Sequence, residues 1–464
     1  MNNLSLIGKI IIRGKLYLES PLIIGSGINE FIDIEVLKDE NGMPFIPATS
    51  LIGVLKDYFK NNISENIGDD SDYFWGMSEK INSVTQKSIQ SSFICHDLYS
   101  TEGKINIRDG VCINPINQTA KDKGKYDFEI VDKGAVFDLF WEVTLREIYN
   151  KDIFRRIIAT IIEPLMSSKI AIGAKTNSGF GKVALKNIEV IEFDFSKKDD
   201  VYRWLKKDLS HGISYLDAKQ YISYSKKIDV FSIEAKFALV NSIIIRAYSE
   251  KPDLPDAVNI TSNGEFVLPG TSLKGAIRNR ALKILKTVKN DGAEQKINQL
   301  FGIAGENEGK KKIKSRVKVE ERVIRNTLPE LQNRIKIDRF TGGTIKTALF
   351  NSMPLWSGNE LNESVIVNIS IRKYKNWEAG LMLQVLKDLW CEDLAIGGEK
   401  NVGRGILKGI SALIRWQNKN QQERELEIKA AGKGITFFMK KSDETEQAVK
   451  ELNEFAKSIQ GVMA

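Results

Sequence analysis

The chain repeats itself once along its length, and this duplication limits its fold more than any other feature of the sequence. Five pairs of segments match in the same order: FIPATSLIGVL with FVLPGTSLKGAI, Trp75-Gly76 with Phe301-Gly302, SSFICHD with KSRVKVE, NIRDG with KIDRF, and AIGAKTNSGFGKV with AIGGEKNVGRGIL. The offset is identical for Pro47 with Pro269 and for Thr49 with Thr271, and it changes little for the other pairs. Ordered matches at a near-constant spacing are typical of a duplicated structural unit. We therefore predict two homologous modules, 1–198 and 228–415.

Two segments lie outside the predicted modules. Residues 199–227 are predicted to form a helix and a connection, and residues 416–464 form a tail. The sequence SDETEQAVKELNEFAKSI predicts an amphipathic helix over 442–459, because Ser442 can cap its start and acidic residues fill its first turn. The apolar stripe of this helix contains Val449, Leu452, Phe455 and Ile459. We expect the stripe to pack on the protein's own core rather than on a partner.

Both modules show the same order of local patterns. Each opens with a stretch of partial two-residue alternation, KIIIRGKLYLESPLIIG and FSIEAKFALVNSIIIRAY, which is typical of a half-buried strand. A turn at Pro47 or Pro269 leads into helical sequence, and each module ends with a Gly-rich loop and a short strand. This pattern predicts an α+β fold in which each module is built on an antiparallel sheet.

Composition narrows the class of protein without deciding its function. Lys and Arg total 68 against 60 for Asp and Glu, and the resulting charge of +8 permits a polyanionic partner but does not demonstrate one. No run of about 18 apolar residues is present, so a membrane-spanning helix is not expected. Cys95, Cys112 and Cys391 have no disulfide-like spacing, which favours the cytoplasm, and we expect them to pack as small apolar groups. With only His96 and His211, which we interpret as structural and surface residues, zinc sites and histidine-dependent triads are disfavoured.

The Gly-rich loops GAKTNSGFGKV and GGEKNVGRGIL combine glycines with cations and asparagine. Glycines allow close backbone approach, and successive free N–H groups can bind an anion. Neither loop matches a P-loop or a dinucleotide motif. Because the loop recurs at the same place in both modules, we favour contact with an anionic partner over a merely structural turn. The candidate binding residues of the loops are Lys175, Asn177, Lys182, Lys400, Asn401 and Arg404.

The start of the first helix in each module is a second candidate site for phosphate contact. Thr49-Ser50 and Thr271-Ser272 stand there, and their hydroxyls are expected to cap the helix. A helix N-terminus also attracts phosphate. The second module adds cations in the first turns, namely Lys274, Arg278 and Arg280. Ile52 stands where the second module has Lys274, so a weaker phosphate contact is expected in the first.

Several of these motifs together resemble a known family. They are IDIEVLKDENGMPFIPATSLIGVL, FWG and AIGAKTNSGFGKV in the first module, and FVLPGTSLKGAIRNRAL, LFG, SRVKVEER, KIDRFTGGTIKTALF and LAIGGEKNVGRG in the second. The chain resembles the RAMP proteins of CRISPR systems. It is most similar to the backbone subunits of type III effector complexes, and its two modules resemble the fused double-backbone subunit of type III-D.

The resemblance implies a fold and a set of partners. It implies two ferredoxin-like (RRM-like) modules that bind a CRISPR guide RNA and its target RNA. The expected protein partners are other RAMP subunits and the large subunit of the complex, in the cytoplasm. It also implies a thumb-like β-hairpin in each module, for which the stretches 108–136 and 338–358 are the candidates.

The resemblance further implies cleavage of target RNA by loop aspartates with Mg²⁺ or Mn²⁺. Asp33 falls on the family's cleavage aspartate, and Asp256 is its match in the second module, at an offset within the range of the repeat. Asp253, whose offset is smaller than that range, is the less favoured match, and Asp39 is interpreted as a turn residue. A carboxylate can hold the metal or take the proton of the attacking 2′-hydroxyl, and its low ordinary pKa favours the first role.

Two other functions within the family stay open. A non-catalytic RNA-binding scaffold would use the same fold without cleavage. A guide-processing endoribonuclease is disfavoured, because such enzymes commonly use histidine. A nucleotide-binding enzyme is disfavoured as well, since the chain contains no nucleotide motif.

Overall fold

The computed structural model describes residues 5–27, 32–63, 67, 69–81, 84–114, 117, 119–224, 229–247, 255–288, 292–303, 313–358, 362–417, 422–431, 434–438 and 442–459. The chain divides into two compact units. The first unit contains Met1–Ile107, Glu129–Thr176 and Phe180–Lys227, and the second contains Arg108–Phe128, Asn177–Gly179 and Ile228–Ala464.

The first half of the chain contains thirteen strands and four helices within its described residues. The strands are β1 (Leu6–Leu18), β2 (Gly25–Gly27), β3 (Glu35–Val36), β4 (Phe45–Ile46), β5 (Met77–Ile81), β6 (Val84–Ile89), β7 (Phe93–Cys95), β8 (Leu98–Glu102), β9 (Ile105–Ile113), β10 (Ala120–Val131), β11 (Val136–Arg146), β12 (Val183–Asp194) and β13 (Ile213–Ser214). The helices are α1 (Ala48–Asn62), α2 (Asp69–Trp75), α3 (Lys151–Met166) and α4 (Lys198–Leu205).

The second half contains sixteen strands and four helices within its described residues. The strands are β14 (Val230–Val240), β15 (Ser242–Ile243), β16 (Arg246–Ala247), β17 (Val258–Asn259), β18 (Thr261–Ser262), β19 (Glu265–Leu268), β20 (Val317–Val319), β21 (Arg322–Val323), β22 (Thr327–Pro329), β23 (Gln332–Ile337), β24 (Thr344–Ser352), β25 (Leu355–Ser357), β26 (Val365–Arg372), β27 (Ile406–Gln417), β28 (Glu423–Ala431) and β29 (Gly434–Phe438). The helices are α5 (Gly270–Thr287), α6 (Ala293–Phe301), α7 (Asn376–Trp390) and α8 (Ser442–Ser458).

The main sheet of the first unit is built around β1, which pairs antiparallel with β11 and β12. The strand order is β13-β12-β1-β11-β8-β4, and β7 also pairs with β11. Alternate residues of β1, such as Ile10 and Ile12, are buried in one core that also contains the apolar faces of α1 and α3. Ile11 lies in a smaller cluster with Phe193, and the Trp204 ring of α4 packs against Phe193 at 5.5 Å. The predicted helix in the segment after the first module is therefore present.

The main sheet of the second unit repeats this arrangement around β14. Its order is β20-β26-β14-β27-β28-β29, with antiparallel pairing of β14 to β26 and β27. The apolar residues of α5 recur every fourth position and are buried, as are those of α1. Along the chain, the elements that form each main sheet and its crossovers follow the order strand, helix, strand, strand, helix, strand. In each sheet the first of these strands (β1 or β14) lies between the last (β12 or β27) and the third (β11 or β26).

The tail helix α8 packs into the core of the second unit. Leu452, Phe455 and Ile459 are buried there, and Val449 packs against the same core. Gly380 of α7 permits the close approach of α8, because a Cβ atom at that position would lie 2.0 Å from the Phe455 carbonyl oxygen. The interpretation that this stripe packs on the protein's own core is confirmed.

Some local predictions are wrong. The closing strands β12 and β27 are not short, since each has 12 residues and pairs along most of the central strand of its sheet. Cys95 is buried, but Cys112 and Cys391 are exposed, so they do not pack as small apolar groups.

None of the helices in the described part of the chain is long and apolar enough to cross a membrane.

Candidate nucleic-acid interface

Asp33 lies exposed in a loop that is attached to the second strand of the β9–β10 hairpin. The carbonyl oxygen of the next residue, Ile34, accepts a hydrogen bond from the Glu129 N–H at 2.9 Å. The Val36 N–H donates to the Glu129 carboxylate at 3.0 Å. Because Glu129 is only 7% exposed, these two bonds fix the loop from both its backbone and a buried side chain.

A lysine completes this attachment. The Lys38 amine donates to Glu129 at 3.0 Å and to Glu35 at 3.1 Å. Burial opposes the charged amine, but the hydrogen bonds and charges of the two carboxylates outweigh it and raise the pKa of Lys38. We call Glu35, Lys38 and Glu129 the Glu129 cluster.

Asp39 follows Lys38 and forms the turn expected of it. Its Oδ1 atom accepts hydrogen bonds from the N–H groups of Asn41 and Met43, both at 2.9 Å. An aspartate that bonds to the backbone two residues on is typical of such turns. The interpretation of Asp39 as a turn residue is confirmed.

Asp256 lies exposed at the corresponding place in the second unit. Its Oδ2 atom accepts a hydrogen bond from the Asn351 N–H of β24 at 3.0 Å. The next residue, Ala257, forms a bridge to Ser352 and accepts a hydrogen bond from the Met353 N–H at 2.9 Å. The loop is therefore attached to the second strand of the β23–β24 hairpin.

A buried amide supports this loop where the first unit uses a carboxylate. Asn259 is 4% exposed; its Nδ2 donates to the Met353 carbonyl at 2.8 Å, and its Oδ1 accepts from the Ile245 N–H at 2.9 Å. Both polar ends of the side chain are therefore satisfied by backbone groups.

The backbone attachments place Asp33 and Asp256 in equivalent positions. Ile34 and Ala257 directly follow the two aspartates, and the carbonyl oxygen of each accepts a hydrogen bond, from Glu129 in β10 and from Met353 directly after β24. The alternative match, Asp253, lies outside the described residues.

The Gly-rich loops have the same backbone structure in both units. The Ala174 N–H donates to the Ile23 carbonyl, and the Gly398 N–H donates to the Ile244 carbonyl, both at 2.8 Å. Gly181 needs both its positive φ and its missing side chain, since a Cβ atom would lie 1.8 Å from the Ile172 carbonyl oxygen. Backbone packing alone thus requires this glycine, and anion binding by the loops stays a prediction.

One position of the loop carries opposite charges in the two units. Lys175 and Glu399 both adopt left-handed backbone conformations, with φ of 53° and 54°. Burial lowers the pKa of Lys175 to about 8. The Glu399 carboxylate instead contacts Arg246 at 2.7 Å and Arg334 and Arg404 at 2.8 Å. We call Glu399 and its three arginines the Glu399 cluster.

The other loop candidates differ in their exposure. Arg404 is 3% exposed, and its guanidinium donates to Glu399, to Ser242 at 2.7 Å and to Gln332 at 2.5 Å, so its position fits a structural role. Lys400 and Asn401 are exposed. Asn177 donates to the Ser315 carbonyl at 2.7 Å, and the Lys182 amine lies 3.7 Å from Glu19.

The helix starts are not capped by hydroxyls, which corrects that prediction. Helix α1 begins at Ala48 after Pro47, α5 begins at Gly270 after Pro269, and neither has a side-chain cap from the preceding residue. The prolines set the helix start, and Asp97 accepts the first N–H of α1, from Ala48, at 2.7 Å. Thr49 is exposed, while Ser50, Thr271 and Ser272 are partly buried.

The cations of α5 mainly contact the protein. Arg278 donates to the Gly302 carbonyl at 3.1 Å and to Asn298 at 2.6 Å, and Arg280 donates to Asp388 at 2.5 Å. The Lys274 amine donates to the Asn177 carbonyl at 3.1 Å. Burial, with a smaller contribution from Arg278, lowers the pKa of Lys274 to about 8.

Comparison with known families decides what kind of protein this geometry belongs to. The RAMP superfamily model matches residues 15–184 and 236–408, which together are most of the chain and correspond to its two repeats. The chain belongs to the RAMP superfamily. RAMP proteins are CRISPR-associated RNA-binding proteins, and the two matched segments make this one a tandem of RAMP modules. No curated protein matches it.

Among the residues that the structure describes, neither aspartate of this RAMP protein belongs to a preformed metal cage. In the part of the chain that the structure describes, no group of three or more His, Cys, Asp or Glu could hold a metal ion. Mg²⁺ usually binds through one or two carboxylates together with phosphate oxygens and water. Asp33 and Asp256 are exposed carboxylates of this kind, so they fit a metal that is shared with bound RNA.

Sequence reasoning missed the residues that support the two aspartates. Glu129 gave no signal, because Lys38 and Val36, which bind its carboxylate, are far away in the chain. The Glu399 cluster could have been found by comparing the two repeats of this RAMP protein. The second repeat has Glu399 where the first has Lys175, and Arg246 where the first has Gly25, so a negative and a positive residue are introduced together.

Proposed function

We propose that this RAMP protein is a backbone subunit of a type III CRISPR effector complex, most similar to the two-module subunit of type III-D. It binds the guide RNA, holds the guide–target duplex and cleaves target RNA in the cytoplasm. Its partners are other RAMP subunits and the large subunit of the complex. The observation that carries the cleavage proposal is the equivalent, exposed placement of Asp33 beside the end of β10 and of Asp256 beside the end of β24.

The strand order supports a ferredoxin-like core in each unit. In both main sheets the first strand lies between the last and the third, with one helix in each crossover, as in a split βαβ fold. The hairpins β9–β10 and β23–β24 overlap the stretches 108–136 and 338–358 proposed for the thumbs. These hairpins expose large apolar side chains such as Ile107, Ile335 and Phe340, which suits contact with nucleic-acid bases.

The chemistry proposed for each aspartate is cleavage by the RNA's own 2′-hydroxyl. That oxygen attacks the adjacent 3′-phosphate, and the 5′-oxygen of the next nucleotide leaves. Mg²⁺ or Mn²⁺, held by Asp33 or Asp256 together with RNA, would supply neutralisation of the charge that develops on the phosphate. The role of the surrounding residues is to hold each carboxylate at a fixed place while the RNA is bound.

Lysines and an asparagine on the two Gly-rich loops are proposed to hold RNA phosphates. Lys175, Lys182, Lys400 and Asn401 lie at least partly at the surface, as do Thr49 and Lys274 at the helix starts. A helix N-terminus adds partial positive charge to such a site. Arg278, Arg280 and Arg404 are better assigned to positioning these elements than to direct RNA contact, because their guanidiniums bind protein groups.

One observation favours a scaffold role without cleavage for the second unit. Asp256 already accepts a hydrogen bond from Asn351, and the second module lacks the Lys-Asp pair that follows Val36 and Leu37 in the first. Under this alternative only the first unit cuts, and the second holds the duplex.

The test is to assemble the effector complex with its guide RNA, add a complementary target RNA with Mg²⁺, and map the cuts. We expect two cuts assigned to this chain, of which Asp33→Asn removes one and Asp256→Asn the other. A single cut in wild type, removed by Asp33→Asn and unchanged in Asp256→Asn, would favour the scaffold role for the second unit. Unchanged products from the double variant would contradict the cleavage proposal.

A further inference from the structure

The Glu399 cluster joins three separate elements at the base of the β23–β24 hairpin. Arg246 belongs to β16, Arg334 to β23, and Arg404 to the Gly-rich loop that also carries Glu399. Only 6% of the Glu399 side chain is exposed. Burial opposes its charge, but the hydrogen bonds of Arg246 and Arg404 and the charge of Arg334 outweigh this and lower the pKa of Glu399. One buried carboxylate therefore holds three guanidiniums together.

A short series of contacts connects this cluster to Asp256. The Arg404 guanidinium donates to the Gln332 side chain at 2.5 Å. Gln332 is paired with Ser352 across the hairpin, and the neighbouring Asn351 N–H donates to the Asp256 carboxylate at 3.0 Å. A hydrogen bond, a strand pair and one peptide bond therefore connect the cluster to the backbone group that binds Asp256.

The cluster is also connected to the other side of the loop that carries Asp256. Arg246 of β16 is paired with Asn259 of β17, which closely follows Asp256 in the chain. Asn259 in turn binds the Met353 carbonyl at the end of β24. The loop that carries Asp256 is thus attached to β16 and to β24. Glu399 contacts Arg246 of β16 and Arg334 of β23, the strand that pairs with β24.

The first unit has other residues at the matching positions. Lys175 stands in place of Glu399, Gly25 in place of Arg246 and Phe180 in place of Arg404. The first unit supports Asp33 through the Glu129 cluster. An effect on Asp256 alone can therefore be distinguished from an effect on the whole chain, because Asp33 does not depend on these residues.

We infer that Glu399 is a positioning residue, which fixes the β23–β24 hairpin against the Gly-rich loop and so holds the Asp256 carboxylate in place. This inference rests on the proposed function, because it assigns Glu399 to the same cleavage site. Removing its charge leaves three guanidiniums without their shared carboxylate, and loss of one partner from a buried ion pair is strongly disruptive.

The test compares Glu399→Gln with wild type in the assembled complex and in the free chain. In the complex, we expect the cut assigned to Asp256 to slow by about 10- to 100-fold, the range usual for residues that orient a reactive group, while the Asp33 cut changes less than twofold. In the free chain, amide hydrogen exchange over residues 344–352 is expected to become faster. Glu399→Asp should restore part of both, and Glu454→Gln, at an exposed carboxylate of α8, should change neither.

Equal loss of both cuts, or unchanged exchange over 344–352 in Glu399→Gln, would overturn the inference. If Glu399→Gln does not fold, Arg334→Gln replaces it, because that side chain is more exposed and its exchange effect is expected in the same direction. Unchanged exchange in Arg334→Gln would then also overturn the inference. If wild type makes no cut, the proposed function fails, and hydrogen exchange in the free chain still decides whether Glu399 positions the hairpin.

Discussion

The two units hold equivalent aspartates with different chemistry. Beside Asp33, the buried Glu129 carboxylate binds the Val36 N–H and Lys38. Beside Asp256, the buried Asn259 amide binds two backbone groups, and the charged support lies further away in the Glu399 cluster. The backbone attachment of each loop to its hairpin is the same in both. The duplication has therefore kept the backbone contacts, while the side chains that support them have diverged.

This difference makes the two sites separable by mutation. A change in the Glu129 cluster is expected to affect only the first loop, and a change in the Glu399 cluster only the second. Because both sites belong to one chain, each serves as the internal control for the other.

Asp33→Asn is expected to reduce the cut assigned to the first unit by about 100-fold or more, because it removes the only carboxylate charge proposed to act there. The cut of the second unit and guide binding should stay at wild-type levels. End-labelled target RNA on a sequencing gel measures both cuts at once. Loss of both cuts in this variant would show that the two sites do not work independently.

Glu129→Gln is expected to slow the same cut by about 10- to 100-fold, since the Asp33 loop loses its ion pair with Lys38. The second cut should not change. The matched control is Glu102→Gln, an exposed carboxylate of β8 in the same unit. Equal slowing by both variants would argue against a specific role for Glu129.

RNA affinity is expected to fall by about tenfold between pH 7 and pH 9, because the pKa of Lys175 and that of Lys274 are lowered to about 8 and neutral amines do not attract phosphate. The folding stability of the free chain is expected to change in the opposite direction, rising with pH. In the unfolded chain these lysines hold their protons up to higher pH, so stability gains from their titration as pH rises through 8. Lys175→Arg with Lys274→Arg should flatten the affinity profile, which fluorescence anisotropy with guide RNA measures. A profile equally steep in this double variant would exclude these two amines as its cause.

Asp97→Ala is expected to destabilise the first unit by about 1 kcal/mol, since the first N–H of α1 loses its acceptor. Glu320, at the matching position of the second repeat, pairs with Arg322 at 2.7 Å, so the second unit uses this carboxylate differently. Chemical denaturation measures the change in stability, and hydrogen exchange of α1 and α5 shows which unit is affected. Asp97→Asn keeps an acceptor and should recover most of the loss; an equal loss in both variants would contradict a capping role.

The sequence was most informative where local patterns and the repeat agreed. It predicted the helical stretches at 51–62 and 273–288, the turn at Asp39 and the core packing of α8, because each depends on residues close together in the chain. It failed where partners are distant. The link from Arg404 to Gln332 and the cap that Asp97 provides for α1 both join residues far apart in the chain, so neither has a local signature. The hydroxyl caps were expected from residue type alone, whereas Pro47 and Pro269 precede helices that begin at Ala48 and Gly270, two positions earlier than capping by Thr49 and Thr271 would place them.

The central claim is that one chain carries two equivalent cleavage sites, and the ratio of the two cuts tests it most directly. In the assembled complex with Mg²⁺ and a complementary target, we expect both products in wild type, only one in Asp33→Asn, only the other in Asp256→Asn, and neither in the double variant. The single variants should bind guide RNA as tightly as wild type. Both products at wild-type rates in the double variant would contradict the claim.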